Sequence, residues 1–349
     1  MQYQPLHEGS VAYACSGAGP SGGGVSPRST RLRGQSIIEY VLIAAVIGLV
    51  VIFAGPQVSG AIRNQLNQVT NTVDSGASGD SFISAEEKAY REAMKTVASK
   101  EAKDWTLDEQ KAAATDIAKN GTSSVVYAKA KTAMDAGTTW SVKLTNGKTM
   151  AYRIIGINHD DLADGSGKAG LTFWTTNDAV GSHRFNSTDS TEGGWEKSEV
   201  RSKMNSGEIW GLMPSDFQSK VKVVKKLTNN AGGGDANKDA SVTTTTDKLF
   251  LLSNSEIVES PRAFWASNWP WISSEGTQYE AFRGKVTNNY SNNQSISDSA
   301  NNGGYRYERT AYPNNPVSFL QIAYKGDPSV VWYGEGATYE GKICPAFCF

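Results

Sequence analysis

Trp140-Ser-Val142-Lys-Leu144-Thr-Asn146-Gly147-Lys-Thr-Met150-Ala-Tyr152-Arg-Ile154 alternates large apolar and polar residues on either side of one dipeptide. Period-two alternation predicts two half-buried strands, and Asn-Gly readily adopts the positive φ that a tight hairpin turn requires. From Thr138 to Phe349 the chain is therefore predicted to be a β-rich α+β domain. Further strands are expected at Leu171–Thr175, Lys248–Ser253, Ser318–Tyr324 and Lys342–Phe349. Helices are expected at Glu196–Asn205, carrying Val200 and Met204, and at Pro214–Val224, carrying Phe217, Val221 and Val224. Eight of the nine tryptophans lie beyond residue 137, so the large apolar side chains needed for a core are concentrated there.

Upstream the period changes. Residues 84–137 read as a helical spacer: Ser84-x-x-Glu87 and Thr106-x-x-Glu109 both fit a capping box, and Asn120-Gly121 stops the second helix. A third helix is predicted from about Ser123 to Ala136, ended by Gly137. Ser75-Gly-Ala-Ser-Gly79 falls in a short flexible linker, residues 75–83.

Further upstream, Ile37–Ala54 is apolar except for Glu39, Tyr40 and Gly48. About 20 such residues suffice to cross a bilayer core. An ordinary anchor or an uncleaved signal would explain the run, but Pro56-Gln57-Val58 is a poor signal-peptidase site. Glu39 is the unusual residue, because a carboxylate in apolar helical sequence costs roughly 2.5–3.5 kcal/mol unless it has a partner. Arg28, Arg31 and Arg33 give the run a basic flank. Val58, Ile62, Leu66, Val69 and Val73 recur at helical spacing, so the helix is expected to reach about Val73.

Arg31-Leu-Arg-Gly34-Gln35-Ser-Ile-Ile-Glu39-Tyr40 resembles the processing site of type IV prepilins, and specifically the Flp (type IVb) branch. The resemblance implies a leader of residues 1–34 and cleavage by a prepilin peptidase between Gly34 and Gln35. It also implies a long apolar pilin-like helix over residues 35–74, in the membrane before assembly. Glu39 and Tyr40 would then act in assembly, Glu39 meeting the free amine of another pilin subunit. Location follows: membrane-anchored first, then extracellular in or beside a Flp/Tad-type pilus.

A second resemblance spans roughly residues 140–349. It rests on Ile155-Gly-Ile-Asn-His-Asp-Asp-Leu-Ala-Asp164, Gly193-Gly-Trp-Glu-Lys-Ser-Glu-Val-Arg201, Leu212-Met-Pro-Ser-Asp216, Asp247-Lys-Leu-Phe-Leu-Leu-Ser253 and Ile343-Cys-Pro-Ala-Phe347. These blocks look like a domain family of gut bacterial surface proteins to which no function is attached. The layout is similar to the C-type-lectin-like fold, which implies a C-terminal strand returning beside the first.

The formal charge of −1 becomes −3 without residues 1–34, which remove Arg28, Arg31, Arg33 and Glu8. With no basic stripe interleaved with aromatics, no nucleic-acid partner is expected. Cys15 falls in the leader, leaving Cys344 and Cys348, which suit either a small disulfide staple or two free buried thiols. The loop His159–Asp164 offers oxygen ligands for calcium but lacks the EF-hand spacing, and reads more simply as a polar turn capping the hairpin strand. Arg201 is expected in an ion pair with Glu199 or an aspartate, and Asn229–Asp239 as a solvated loop. No nucleophile–base–orienter set is present, so neither an enzyme nor a cofactor or metal is expected.

The stretch Val286–Glu340 mixes paired asparagines with tyrosines. Asn288, Tyr290, Tyr305, Tyr307, Tyr312, Asn314, Trp332 and Tyr333 are the expected ligand-binding residues, since Tyr and Asn on loops make adaptable contacts. A loop that merely solvates the domain would share this composition. Together the two halves imply a pilin-like surface protein displaying an adhesin-like domain for a surface glycan or protein. The alternatives are a structural pilin subunit without a ligand and a displayed enzyme.

Overall fold

The computed structural model describes residues 85–289, 304–324 and 330–349. The leader, Gly34, Gln35, Glu39, Tyr40, residues 35–74 and the linker all lie outside those residues. The expected fold class, headed by a long apolar helix, is corrected. Among the described residues no helix is long and apolar enough to cross a membrane. The longest described, α1 (Ala85–Ser99), has 15 residues, interrupted throughout by Lys, Glu and Arg. What is described is a β-rich α+β fold with several sheets and short helices.

The hairpin forms at the predicted place. β1 (Thr139–Lys143) and β2 (Thr149–Ile157) pair with Trp140 opposite Tyr152 and Val142 opposite Met150, and Gly147 takes φ +84° in the turn. β3 (Leu171–Thr175) joins β2, β12 (Ala346–Cys348) joins β3, and β7 (Leu249–Phe250) joins β12. The C-terminal strand therefore lies between β3 and β7, not beside the first strand as the lectin-like layout implied. β1 stands at the edge of the sheet, paired with β2 alone, and β12 instead inserts between β3 and β7.

One face of this sheet carries Tyr152, Phe173 and Phe347. Phe173 and Phe347 stack at 5.3 Å, and Tyr152 meets Phe173, Phe347 and Phe217 edge-on. Against this face pack α2 (Leu107–Asn120) and α3 (Tyr127–Asp135). α2 begins with the predicted capping box, Thr106 and Glu109 each accepting the other's backbone N–H. Residues 84–137 are thus not a spacer set apart from the sheet. Trp140 donates its indole N–H to the Ala102 carbonyl, Tyr152 donates to Gln110, and Asn158 donates to the Ile117 carbonyl. A Cβ on Gly170 would stand 1.8 Å from the Ala114 carbonyl oxygen, so only glycine permits this approach.

The opposite face carries Trp174, with Arg306 4.8 Å above its ring and Phe282 edge-on at 5.8 Å. Arg306 belongs to β8 (Gly304–Ala311) of a second sheet ordered β10 (Val330–Gly336), β9 (Ser318–Tyr324), β8, β11 (Glu340–Lys342) and β4 (Ser182–Arg184). Phe185 and Phe319 stack at 3.5 Å in its core, with Trp195 and Tyr307 edge-on to Phe185.

Several predicted elements differ in extent. The helix predicted at Glu196–Asn205 is two, α4 (Gly194–Lys197) and α5 (Glu199–Asn205), because Ser198 is extended and its hydroxyl caps α5 through the Arg201 N–H. A further helix, α6 (Glu208–Leu212), follows. Pro214–Val224 yields only α7 (Ser215–Gln218), since the chain then turns extended to pair Lys222 with Cys348 and Val224 with Leu162. Lys248–Ser253 contributes only β7, and Lys342–Phe349 divides between β11 and β12. The unforeseen hairpin is β5 (Val224–Asn229) with β6 (Val242–Asp247).

Candidate functional site

Two charged clusters stand out, one sealed inside and one open at the surface. The interior cluster is assembled from β5, the turn after β2, β8 and the segment from α8 (Asn254–Ile257) to Tyr279. Lys226 Nζ lies 2.6 Å from Asp160 and 2.5 Å from Glu256, and Glu256 also accepts from Arg309 at 2.5 Å. All four side chains are at most 3% exposed. Arg309 uses every N–H: Nε to Thr228, Nη1 to the Leu251 carbonyl and Glu256, Nη2 to the Leu227 and Glu275 carbonyls. Asp160 accepts further bonds from Thr172 (2.6 Å) and Tyr279 (3.0 Å).

The electrostatics follow from this geometry. Burial alone would raise the Asp160 carboxyl, but the Lys226 ammonium holds it down to about 2. For Glu256 the burial penalty is likewise outweighed by Arg309 and Lys226, so it stays below the usual range. Glu275 is different. Its side chain meets the Thr310 hydroxyl and the Asn229 N–H but bonds directly to no cation, and burial pushes it up to about 7. Two cations thus match two firmly ionised carboxylates, while a third carboxyl titrates near neutrality.

The surface cluster lines a cleft of about 260 Å³ between α2, the loop after β2 and the residues leading into β5. Lys111, Lys119, Lys168 and Lys222 surround it, with Thr115, Ser166, Leu162 and Phe349, and no acidic side chain. Lys168 is engaged by Asp161 at 2.9 Å, and Lys119 lies over the Tyr90 ring. Lys111 and Lys222 instead meet each other. Burial, reinforced by Lys222 and Lys220, brings the Lys111 ammonium down to about 8. Two facing cations on a partly desolvated wall are an anion site by electrostatics. The tight fit of Gly170 under α2 and the Lys222 N–H bond to the Cys348 carbonyl fix the wall.

The residues expected to bind ligand are placed otherwise. Tyr307 is 4% exposed and donates to the Gly336 and Tyr339 carbonyls, so it belongs to the second sheet's core. Tyr312 is half-buried, edge-on to Trp265 and directly over Gly334. Tyr305 lies in β8 opposite Ala323, while Trp332 and Tyr333 lie in β10 opposite Ile322 and Gln321. Asn288 forms a parallel bridge with Ser260. Asn314 alone of the set is an exposed turn residue. Tyr290 lies outside the described residues. Among its described residues, most of the stretch lies in the antiparallel strands β8, β9 and β10 rather than in a loop.

Cys344 and Cys348 are free and buried, which corrects the disulfide alternative. Four residues of extended chain span roughly 13 Å, whereas a disulfide needs Cα atoms within about 7 Å. In the His159–Asp164 loop the carboxylates diverge: Asp160 points inward to Lys226, Asp161 pairs with Lys168, and Asp164 caps Ser166. Among the described residues no group of three His, Cys, Asp or Glu side chains is arranged to hold a metal. His159 stacks on Tyr279 and meets Glu280 at 3.2 Å. Arg201 pairs with Asp247 at 2.6 Å, and Asp247 also accepts from the Trp195 indole. Asn229–Asp239 is not a solvated loop, for Asn229 and Gly232–Gly234 are buried beneath Thr191, Tyr312 and Asn315.

Fold and site together define an α+β domain of two five-stranded sheets, a two-stranded ribbon and a helical layer, with a neutralised interior and a cationic cleft. The chain belongs to the family described as a domain of unknown function (DUF6273), whose sequence profile matches residues 169–349. No curated protein and no solved structure matches the chain. The family match takes in Lys222, Lys226, Glu256, Glu275 and Arg309, but Asp160 and Lys111 precede it.

Proposed function

We propose that this is a surface-displayed binding protein whose α+β domain captures an anionic group, a carboxylate or phosphate on a surface glycan, in the cleft between Lys111 and Lys222. The observation that carries the binding reading is the unmatched pair itself. Lys111 and Lys222 face one another across a cleft with no acidic side chain, so a bound anion would relieve their repulsion. Display rests on the sequence motif: cleavage after Gly34 by a prepilin peptidase would expose Gln35, and Glu39 with Tyr40 would join other pilin subunits in or beside a Flp/Tad-type pilus.

Calorimetric titration of the full chain with inorganic phosphate at neutral pH tests the cleft. Saturable binding is expected, weakened roughly tenfold or more in Lys111→Ala and in Lys222→Ala, the size of one lost charged hydrogen bond. No binding by the wild type, or wild-type affinity in both variants, would overturn the site. Mass spectrometry of protein from its native host tests display separately, with a mature N-terminus at Gln35 expected and any other N-terminus counting against prepilin processing.

A further inference from the structure

Lys226 occupies an inward position on β5, while its neighbour Leu227 is 42% exposed. A strand normally does the reverse, placing leucine in and lysine out. The inversion delivers the amine into an apolar and aromatic chamber, 4.3 Å from the Phe250 ring centroid and 5.4 Å from that of Tyr279. There it touches Asp160 on one side and Glu256 on the other.

We propose that Lys226 and Asp160 condense in the folded protein to an intramolecular isopeptide bond, with Glu256 as the proton relay. This inference is independent of the anion cleft and adds a covalent modification at a site the cleft does not share.

The chemistry needs no external reagent. Glu256 relays a proton from the Lys226 ammonium to Asp160 Oδ1, and the freed Nζ lone pair attacks Cγ of the carboxyl so neutralised. Oδ2 is held by the Thr172 and Tyr279 hydroxyls, which are placed to stabilise the charge that develops on it. The Cγ–Oδ1 bond then breaks, and Oδ1 departs as water carrying two protons from the nitrogen, relayed through Glu256. One N–C bond forms, one C–O bond breaks, and no electrons are gained or lost. Glu256 ends as the carboxylate it began as. Fixing amine and carboxyl in contact inside a packed core supplies the high effective concentration that such a condensation requires.

The surroundings suit the product as well as the reactants. Condensation removes one buried cation and one buried anion together, leaving Glu256 balanced by Arg309. The new amide N–H would donate to Glu256, and its oxygen would keep the Thr172 and Tyr279 donors. The bond would tie the β5–β6 ribbon to the turn after β2, across 66 residues of sequence.

Intact-mass measurement of the purified full chain decides the matter. The expected mass is one water molecule below the sequence mass, with a branched peptide joining residues 160 and 226 after proteolysis. Lys226→Arg should restore the full mass, and Asp160→Asn should lose ammonia in place of water. A wild-type protein at full sequence mass would overturn the proposal. So would a Lys226→Arg protein that is still one water light, since the dehydration would then lie elsewhere.

Discussion

The interior cluster and the lysine cleft use the same residue types to opposite ends. Inside, Asp160, Lys226, Glu256 and Arg309 alternate in sign and satisfy one another completely. At the surface, Lys111 and Lys222 face each other with no carboxylate bonded to either, Asp164 acting on Lys222 only through space, and the Lys111 ammonium is held down to about 8. A matched set is what a core tolerates, because each ion's desolvation is offset by a partner. An unmatched set persists only where solvent or a ligand screens it. The difference therefore separates charges that hold the fold from charges available for binding.

Removing one member of the matched set should have the largest effect. Arg309→Leu removes the cation that balances Glu256 and strands the Glu275 and Leu251 carbonyls, so a loss of about 3–5 kcal/mol is expected in urea denaturation. A loss below about 1 kcal/mol would mean that the interior charges are not interdependent.

Glu275 sharpens the contrast, being the acid of this cluster without a directly bonded cation. Its folded carboxyl titrates near 7 against an ordinary value of 4.5, so between those pH values the unfolded chain has released a proton that the folded chain retains. Stability contributed by this group is full below about pH 4.5 and is lost as pH rises through 7, a change on the order of 3 kcal/mol. Glu275→Gln should flatten that slope in denaturation curves taken from pH 5 to 8; an unaltered slope would assign the titration to another group.

The smallest effect belongs to the cleft. Lys111→Met should stabilise the unliganded protein slightly, by under about 1 kcal/mol given solvent screening, since it removes a half-buried cation facing another. The sign follows from the depressed folded value: between about 8 and 10.5 the unfolded chain holds the extra proton, so wild-type stability rises and the gap to the variant closes. Phosphate affinity should fall over the same rise in pH. Equal thermal melting of the two proteins at pH 7 and pH 10 would show that Lys111 is fully solvated.

Much of the local structure was legible where one pattern dominated. The Asn146-Gly147 hairpin, the Thr106 capping box and the strands Leu171–Thr175 and Ser318–Tyr324 all form where the sequence placed them. Legibility failed where a residue's partner is remote. Val224-Lys-Lys-Leu-Thr-Asn229 conceals a strand because its inward position holds Lys226, acceptable only beside Asp160 and Glu256. Tyr307 and Tyr312 have the composition of a binding loop, yet Tyr307 is buried against β11 and Tyr312 half-buried over Gly334. Pro214–Val224 has helical spacing, but pairing with Cys348 and Leu162 pulls its end into extended chain. Arg201 showed the reverse, its aspartate partner foreseen in kind and found at Asp247.

By itself the sequence determined the periodicities and the turn and cap residues, because each depends on neighbours a few positions away. Which charges are matched, and which tyrosines are buried, was decided only by the tertiary structure. Those properties rest on contacts between residues dozens of positions apart, such as Asp160 with Lys226 and Lys111 with Lys222, and no local pattern encodes them.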